Sequence, residues 1–351
     1  MMERSAPLSD DLSRPGDGRA AFEFLDDLLH SEIDARLIAL GIRYGWFGPQ
    51  QAEPRAFEQL SPNARRLAAT RLAALGLWTA ERPGVAGPRL PAFAALRELI
   101  EARLWFLLEI APDFSSFFEL FLGDGGPLVQ RAKLFRLFDY SAALQDDVDA
   151  QHRTSRWLRY TTLLTEFEGP DIAPRLGIEG VARLVDAGGN SGAFGLALLQ
   201  HYPALSVEVF DLPAVCALGR KYVEGKPESR RMMFTAGDLR ASRIPAADAV
   251  CFKSVLHDWP PDMALMFITK AADSMPSGGR LFIVEREAPD FPPGPSQEKP
   301  GFSQLANFAF LPFYRAAEAY VLLLEEAGLR TRRVERFALD GPFFLIEAEK
   351  T

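Results

Sequence analysis

The chain has 351 residues, is 48% hydrophobic and 25% charged, and carries a formal net charge of -8. Its length predicts two domains, or one domain with a large accessory region. No uncharged apolar run reaches the roughly 18 residues of a membrane span, and the acidic balance argues against nucleic acid, whose phosphates are met by clustered Lys and Arg. The two cysteines, Cys216 and Cys251, and four histidines form no CxxC or HExxH, so no disulfide framework or metal site is expected. The expected partner is a small molecule.

Residues 1–18 are polar, with Pro and Gly and no apolar signal core, and read as a loose leader; a cytoplasmic location is the resulting expectation. Residues 19–168 show apolar positions at three-to-four spacing in FEFLDDLLHSEIDARLIALGI, SPNARRLAATRLAALGLW and ALRELIEARLWFLLEI, predicting an all-helical region. Ser61 is placed to cap the second of these helices, with Pro62 in its first turn. TAERPGVAGPRL then reads as a short hairpin or wing. A helix followed by a wing resembles a DNA-reading module, but the acidic surroundings favour a dimerisation or substrate-lid domain. LWFLLEIAPDFSSFFELF is apolar on more than one face, which predicts a homodimer through this half.

The texture changes at Gly169–Pro170, and residues 169–351 are expected to form the second domain. Short apolar runs alternate there with amphipathic segments: ARLVDAG, GAFGLALLQHY, SVEVFDL, PAVCALGRKYVEG, MMFTAGD, ADAVCFKSVL, PDMALMFITKAADSM and GRLFIVERE. Such alternation predicts a doubly wound α/β domain with a parallel sheet. After the Pro-rich APDFPPGPSQEKPG and a helix ending AYVLLLEEAGL, the runs RTRRVERFAL and FFLIEAE flank Asp340-Gly341-Pro342, predicting two antiparallel strands.

Four features lie at predicted strand ends. Asp186-Ala187-Gly188-Gly189-Asn190-Ser191-Gly192 follows a strand and opens a helix, where glycines let the backbone turn sharply and approach a ligand; an ordinary strand-to-helix turn reads the same way. The absence of GxGxxG argues against a dinucleotide fold. Asp211, ending the next strand, can accept hydrogen bonds from both hydroxyls of a ribose, or alternatively cap the helix that starts at Pro213. Asp238, in Gly237-Asp238-Leu239 after the third strand, offers an acceptor to an adenine amino group. Lys253 ends the fourth strand, and His257-Asp258-Trp259 comes just after it. A histidine with an ordinary pKa of about 6.5 is available as a base at neutral pH, although a lone histidine is commonly structural.

In order, LVDAGGNSG, VFDLPAV, AGDL, FKSVLHDWPPD and SGGRLFIVE resemble the class I S-adenosylmethionine-dependent O-methyltransferases of the caffeate and hydroxyindole type, which include bacterial natural-product tailoring enzymes. RAAEAYVLLLEEAGL is similar to the RTxxE segment and following helix of that family, and the N-terminal half is similar in texture to its helical dimerisation domain, with LGI and LGL turns. The resemblance implies a Rossmann-like seven-stranded methyltransferase sheet behind a winged-helix-like dimerisation domain. It places Gly188, Gly189 and Gly192 under the methionine part of S-adenosyl-L-methionine, Asp211 at the ribose, Asp238 and Leu239 at adenine, and Leu212 and Lys253 at the cofactor. It assigns His257 as general base and Glu285 as the acid that brackets it. Two positions depart from the family: Asn190 stands where glycine is usual, and Tyr314 precedes Arg315 where an acid is common. Asn is the non-glycine residue that best tolerates a left-handed backbone. The alternatives are a family member that uses the cofactor for a pericyclic or hydroxylation step, a winged-helix regulator, and a nicotinamide dehydrogenase.

Overall fold

The structure is a computed structural model that describes residues 18–47, 57, 59–80, 84–110, 112, 116, 131, 140–287, 314–339 and 341–351. The expected leader up to residue 17, the second half of LWFLLEIAPDFSSFFELF apart from two residues, the Pro-rich segment after residue 287 and Asp340 lie outside the described residues. Two compact units are present: Met1–Leu120 with Arg131–Leu134, and Phe121–Gln130 with Phe135–Thr351.

The described part of the first unit is helical: α1 (Gly18–Arg43), α2 (Pro62–Ala74), α3 (Leu90–Ala95) and α4 (Arg97–Trp105). Ser61 caps α2 by accepting from the Ala64 N–H, and Pro62 opens its first turn. Ala86, in the segment read as a wing, forms an antiparallel bridge with Trp78 just before it. Gly76 turns the chain out of α2 with φ +70, whereas Gly41 of the other expected turn lies inside α1, where a Cβ would meet the Phe47 ring at 2.4 Å. Leu37, Ile42, Phe47, Ala68, Leu72, Leu77 and Trp78 form the core of this unit, and the Arg71 guanidinium grips the Asp34 carboxylate with two 2.7 Å hydrogen bonds.

The second unit is built on a seven-stranded sheet of order β3-β2-β1-β4-β5-β7-β6. Its strands are β1 (Arg183–Ala187), β2 (Ser206–Asp211), β3 (Met232–Ala236), β4 (Ala249–Lys253), β5 (Arg280–Arg286), β6 (Leu329–Ala338) and β7 (Pro342–Lys350), and its helices are α5 (Val148–Ile172), α6 (Ala193–His201), α7 (Pro213–Val223), α8 (Pro261–Ser274) and α9 (Ala317–Glu326). The first five strands pair in parallel; β7 runs antiparallel to β5 and to β6, as the last two runs predict. Strand alternation divides the core into two layers. Val185, Ala187, Val250, Phe252, Leu281 and Ile283 face a cluster with Phe267 and Leu324 of α8 and α9. Leu184, Ala249, Cys251, Phe282 and Val284 face the opposite cluster with Phe194 and Leu198 of α6. Parallel strands buried on both faces in this way are what near-continuous apolar runs predict.

The division of the chain departs from the expected boundary at residue 169. Helix α5 runs through Gly169 and Pro170 and packs against α6 and α7. A Cβ on Gly169 would stand 3.0 Å from the Ala197 side chain, so the glycine marks a close helix crossing and not a linker. Among the described residues no helix is long and apolar enough to cross a membrane, and no group of three or more His, Cys, Asp or Glu is placed to hold a metal.

Candidate active site

The chain leaves β1 for β2 on one side, and β4 returns on the other side of β1. This reversal opens a crevice at the carboxyl ends of β1 and β4, the place where open α/β sheets bind ligands. Both ends carry residues singled out by sequence.

At the end of β1 the chain turns through Gly188 (φ 73), Asn190 (φ 57) and Gly192 (φ 83). Added Cβ atoms would meet Val255 at 2.8 Å on Gly188, the Asp186 carboxylate at 2.5 Å on Gly189 and Met232 at 2.8 Å on Gly192, so sterics favour glycine at all three, and backbone conformation favours it at Gly188 and Gly192. Asn190 adopts the left-handed conformation expected of it and is tied down: its amide donates to Thr161 Oγ1 at 3.1 Å and its Oδ1 accepts from the Ser191 N–H at 2.7 Å. Thr162 donates to Ser191 Oγ at 2.7 Å. Asp211 holds the same loop, accepting from the Asn190 N–H at 2.8 Å and the Leu212 N–H at 2.7 Å. The N-cap of α7 is Leu212, which makes no side-chain capping bond, and Asp211 serves the loop. Burial pushes the Asp211 carboxyl up to about 6 against those two N–H donors.

Asp186, beneath the loop, is 1% exposed, and its Oδ2 has no hydrogen-bond partner. Burial pushes it up to about 7, with Lys253 pulling the other way. An orphaned buried carboxylate oxygen beside a cradle that admits no Cβ suits a ligand carrying donors or positive charge. Asp238 comes after β3, but its carboxylate is gripped by the Arg240 guanidinium at 2.8–3.0 Å and accepts from the Arg240 N–H at 2.9 Å. The Arg240 pairing, ahead of its burial, holds the Asp238 carboxyl below the usual carboxylate range. Leu239 packs against the core, and its carbonyl accepts from Lys270.

Beyond β4, His257 sits in a short 3-10 turn, Leu256–Asp258. Its Nδ1 lies 2.5 Å from Glu285 Oε2, and Glu285 Oε1 accepts the N–H groups of Val255 (3.0 Å) and Leu256 (2.8 Å). Glu285 is fully buried, so its carboxylate is fixed by three donors and sets the imidazole's orientation. Nε2 lies 3.3 Å from Asp258 Oδ1, and Asp258 Oδ2 accepts the Tyr140 hydroxyl at 2.8 Å. Burial lowers the imidazole pKa, but the carboxylates of Glu285 and Asp258 outweigh it, and His257 titrates above 6.5. The Tyr314 ring stacks on the imidazole with centroids 4.7 Å apart, so a ring stands where the family often has an acid. Arg315 donates to the carbonyls of Leu256 (3.0 Å) and Trp259, clamping the turn that carries His257.

The structure therefore brings Gly188, Gly189, Gly192, Asp211, Leu212, Lys253, His257 and Glu285 to the crevice around the β1 and β4 ends and ties the Asp238 carboxylate to Arg240. Sequence reasoning named Asp186, Asp258 and Arg315 without assigning their contacts, and missed Tyr140 and the polar side chains of α5. Lys253 is one contact of the last group: its ammonium lies 2.5 Å from Glu168 and donates to Thr165 at 3.1 Å. One signal was present, since Thr161, Thr162, Thr165 and Glu168 recur at helical spacing.

The strand order, with an antiparallel β7 inserted beside β5, and the glycine crevice define a Rossmann-like methyltransferase fold. The O-methyltransferase domain profile matches residues 144–330, and the chain belongs to that family, whose members use S-adenosylmethionine. It is 32% identical over 171 residues to the 3-hydroxy-5-methyl-1-naphthoate 3-O-methyltransferase of Streptomyces sahachiroi; the match covers 48% of this chain and 49% of that protein, so the chain spans about half the length of this relative. Among solved structures, mitomycin 7-O-methyltransferase superposes with a TM-score of 0.73 at 20% identity, covering 95% of this chain and 98% of that one. Human N-acetylserotonin methyltransferase in complex with S-adenosylmethionine gives 0.73 at 16% identity, covering 94% and 97%. These two likenesses show a shared fold.

Proposed function

We propose that this chain transfers a methyl group from S-adenosylmethionine to a hydroxyl of a small aromatic or polycyclic acceptor, with His257 as general base. The observation that carries the reading is the His257–Glu285 pair at the β4 edge, two residues beyond the side chain that packs on Gly188. When bound, S-adenosylmethionine supplies an electrophilic methyl group on a sulfonium centre. Asp211 accepts the ribose hydroxyls, since each carboxylate oxygen retains a lone pair after binding one N–H. Gly188, Gly189 and Gly192 admit the amino-acid part, Leu212 and Leu239 flank the nucleoside, and Lys253 closes the inner end; Asp238 keeps lone pairs for adenine despite Arg240. Glu285 keeps a proton on Nδ1, leaving Nε2 as the nitrogen that takes the proton from the acceptor hydroxyl.

A phenol near pKa 10 facing this histidine need not ionise beforehand, because proton transfer in the transition state is worth about 10²–10⁴ in rate. The name of the Streptomyces relative, a naphthoate 3-O-methyltransferase, supports an aromatic hydroxyl as the acceptor. The helical first unit acts in this proposal as dimerisation and substrate-lid domain of a cytoplasmic homodimer. Exposed Leu29, Leu40, Tyr44, Leu67 and Leu96 support a partner surface there, and light scattering that returns a monomer at micromolar concentration would contradict it. His257→Ala and His257→Gln should keep cofactor affinity while lowering turnover by about 10²–10⁴. Turnover near the wild-type rate in both variants, measured by transfer of labelled methyl to a phenolic acceptor, would remove His257 from the reaction.

A further inference from the structure

Helix α5 carries a polar stripe, with Thr162 and Glu168 buried. Thr161, Thr162, Thr165 and Glu168 follow the helical repeat and face the sheet edge. Thr161 and Thr162 meet Asn190 and Ser191 of the glycine loop, while Thr165 and Glu168 meet Lys253. Glu168 is 2% exposed and binds two cations at once, Lys253 through Oε2 and Arg286 through Oε1, each at 2.5 Å. Glu168 places one negative charge between two cations, and removing it would make the local charge one unit more positive. Charges in such a place are tolerated only when paired.

Lys253 ends the strand next to β1, and its field reaches Asp186 under the glycine loop. Two residues on, Val255 packs against Gly188. The Glu168 cluster therefore borders the cradle that, on the methyl-transfer reading on which this inference rests, receives a sulfonium cation. We propose that Glu168 is a positioning residue that sets the charge of the cofactor site: by holding Lys253 and Arg286, it keeps the site able to bind the cationic cofactor against its neutral demethylated product. A purely structural ion pair would affect both ligands alike, because S-adenosylmethionine and S-adenosylhomocysteine share every group except the methyl and its charge.

The test is isothermal titration calorimetry of the full chain with S-adenosylmethionine and S-adenosylhomocysteine, for wild type, Glu168→Gln, Lys253→Met and the double variant, with folding checked by thermal melts. Glu168→Gln should raise the ratio of the two dissociation constants, cofactor over product, by about tenfold or more, the effect of one unit charge within roughly 12 Å at an effective dielectric near 20. Lys253→Met should move that ratio in the opposite direction, even if it weakens both ligands, and the double variant should return it to within about threefold of wild type. Equal weakening of both ligands in Glu168→Gln overturns the proposal. If Glu168→Gln does not fold, Lys253→Met decides alone: a ratio that is unmoved or raised overturns it. A wild type that binds neither ligand removes the methyl-transfer reading and this proposal with it, whereas tight wild-type binding with an unmoved ratio removes only the latter.

Discussion

Replacing Glu285 by Gln preserves its shape and removes its charge, and the surrounding hydrogen bonds dictate how the new amide must sit. Oε1 accepts two backbone N–H groups, from Val255 and Leu256, while Oε2 faces His257 Nδ1. A glutamine can keep its oxygen on the two N–H groups and turn its amide to Nδ1, or do the reverse. The reverse leaves two buried N–H donors facing an amide donor, at about 1–3 kcal/mol each, whereas moving a proton between imidazole nitrogens costs far less. The first arrangement wins and places a donor on Nδ1. That drives the imidazole proton to Nε2, the nitrogen that must be empty if His257 is the base, and on that reading turnover should fall by about 10²–10⁴.

The pH dependence should shift as well. Glu285 is the largest influence raising His257, set against burial, so Glu285→Gln should move the acid limb of the rate profile to lower pH even as the plateau drops. In wild type the limb should lie above 6.5, because the base form is populated only above the raised pKa. The same raised pKa means that the imidazolium's ion pairs stabilise the fold fully below pH 6.5, and that this contribution is lost as pH rises through the folded-state value. The variant should therefore lose more stability at pH 5.5 than at pH 8.5. Single-turnover transfer of labelled methyl between pH 5 and 9, with parallel melts, reads both effects. A plateau at the wild-type level, or an unmoved acid limb, would refute the tautomer argument.

Three further outcomes are expected. Asp211→Ala should weaken S-adenosylmethionine by about ten- to a hundredfold in calorimetry, the worth of hydrogen bonds to a charged group; wild-type affinity should itself decline below pH of about 6, where this carboxyl takes up a proton. Gly188→Ala combines a left-handed backbone at φ 73, worth about 1–2 kcal/mol, with a methyl placed 2.8 Å from Val255, and should destabilise the chain to urea by at least that amount; an unchanged midpoint would mean that the loop relaxes freely. Asp186 is pushed from 3.8 to about 7, so the wild-type fold is stabilised by its protonation at low pH and loses on the order of 4 kcal/mol as pH rises through that interval. Asp186→Asn should narrow the difference in melting temperature between pH 5 and pH 8, and an unaltered difference would count against a charged Asp186 in the folded state.

The alternation of apolar runs with amphipathic segments was enough to assign a doubly wound sheet, because each run buries both faces of a parallel strand and each segment one face of a helix. The Asp-Gly-Pro turn before β7 was enough to make the last pair antiparallel. The residues standing at the crevice were legible for the same reason: a strand end is a position in sequence as well as in space. Contacts made across elements were not. Glu168 lies 85 residues from Lys253 and 118 from Arg286, and no local pattern encodes that a helix assigned to the other domain crosses the sheet edge there. Tyr140 reaches Asp258 across 118 residues, and Arg240 takes the Asp238 carboxylate by a local guanidinium fold-back that strand-end reasoning does not contain. Local sequence thus determined which groups stand at the crevice, through periodicity and backbone sterics. Which of their oxygens are already occupied, and which way each proton lies, was decided by tertiary packing, because burial strengthens every charge and lets only paired ones remain.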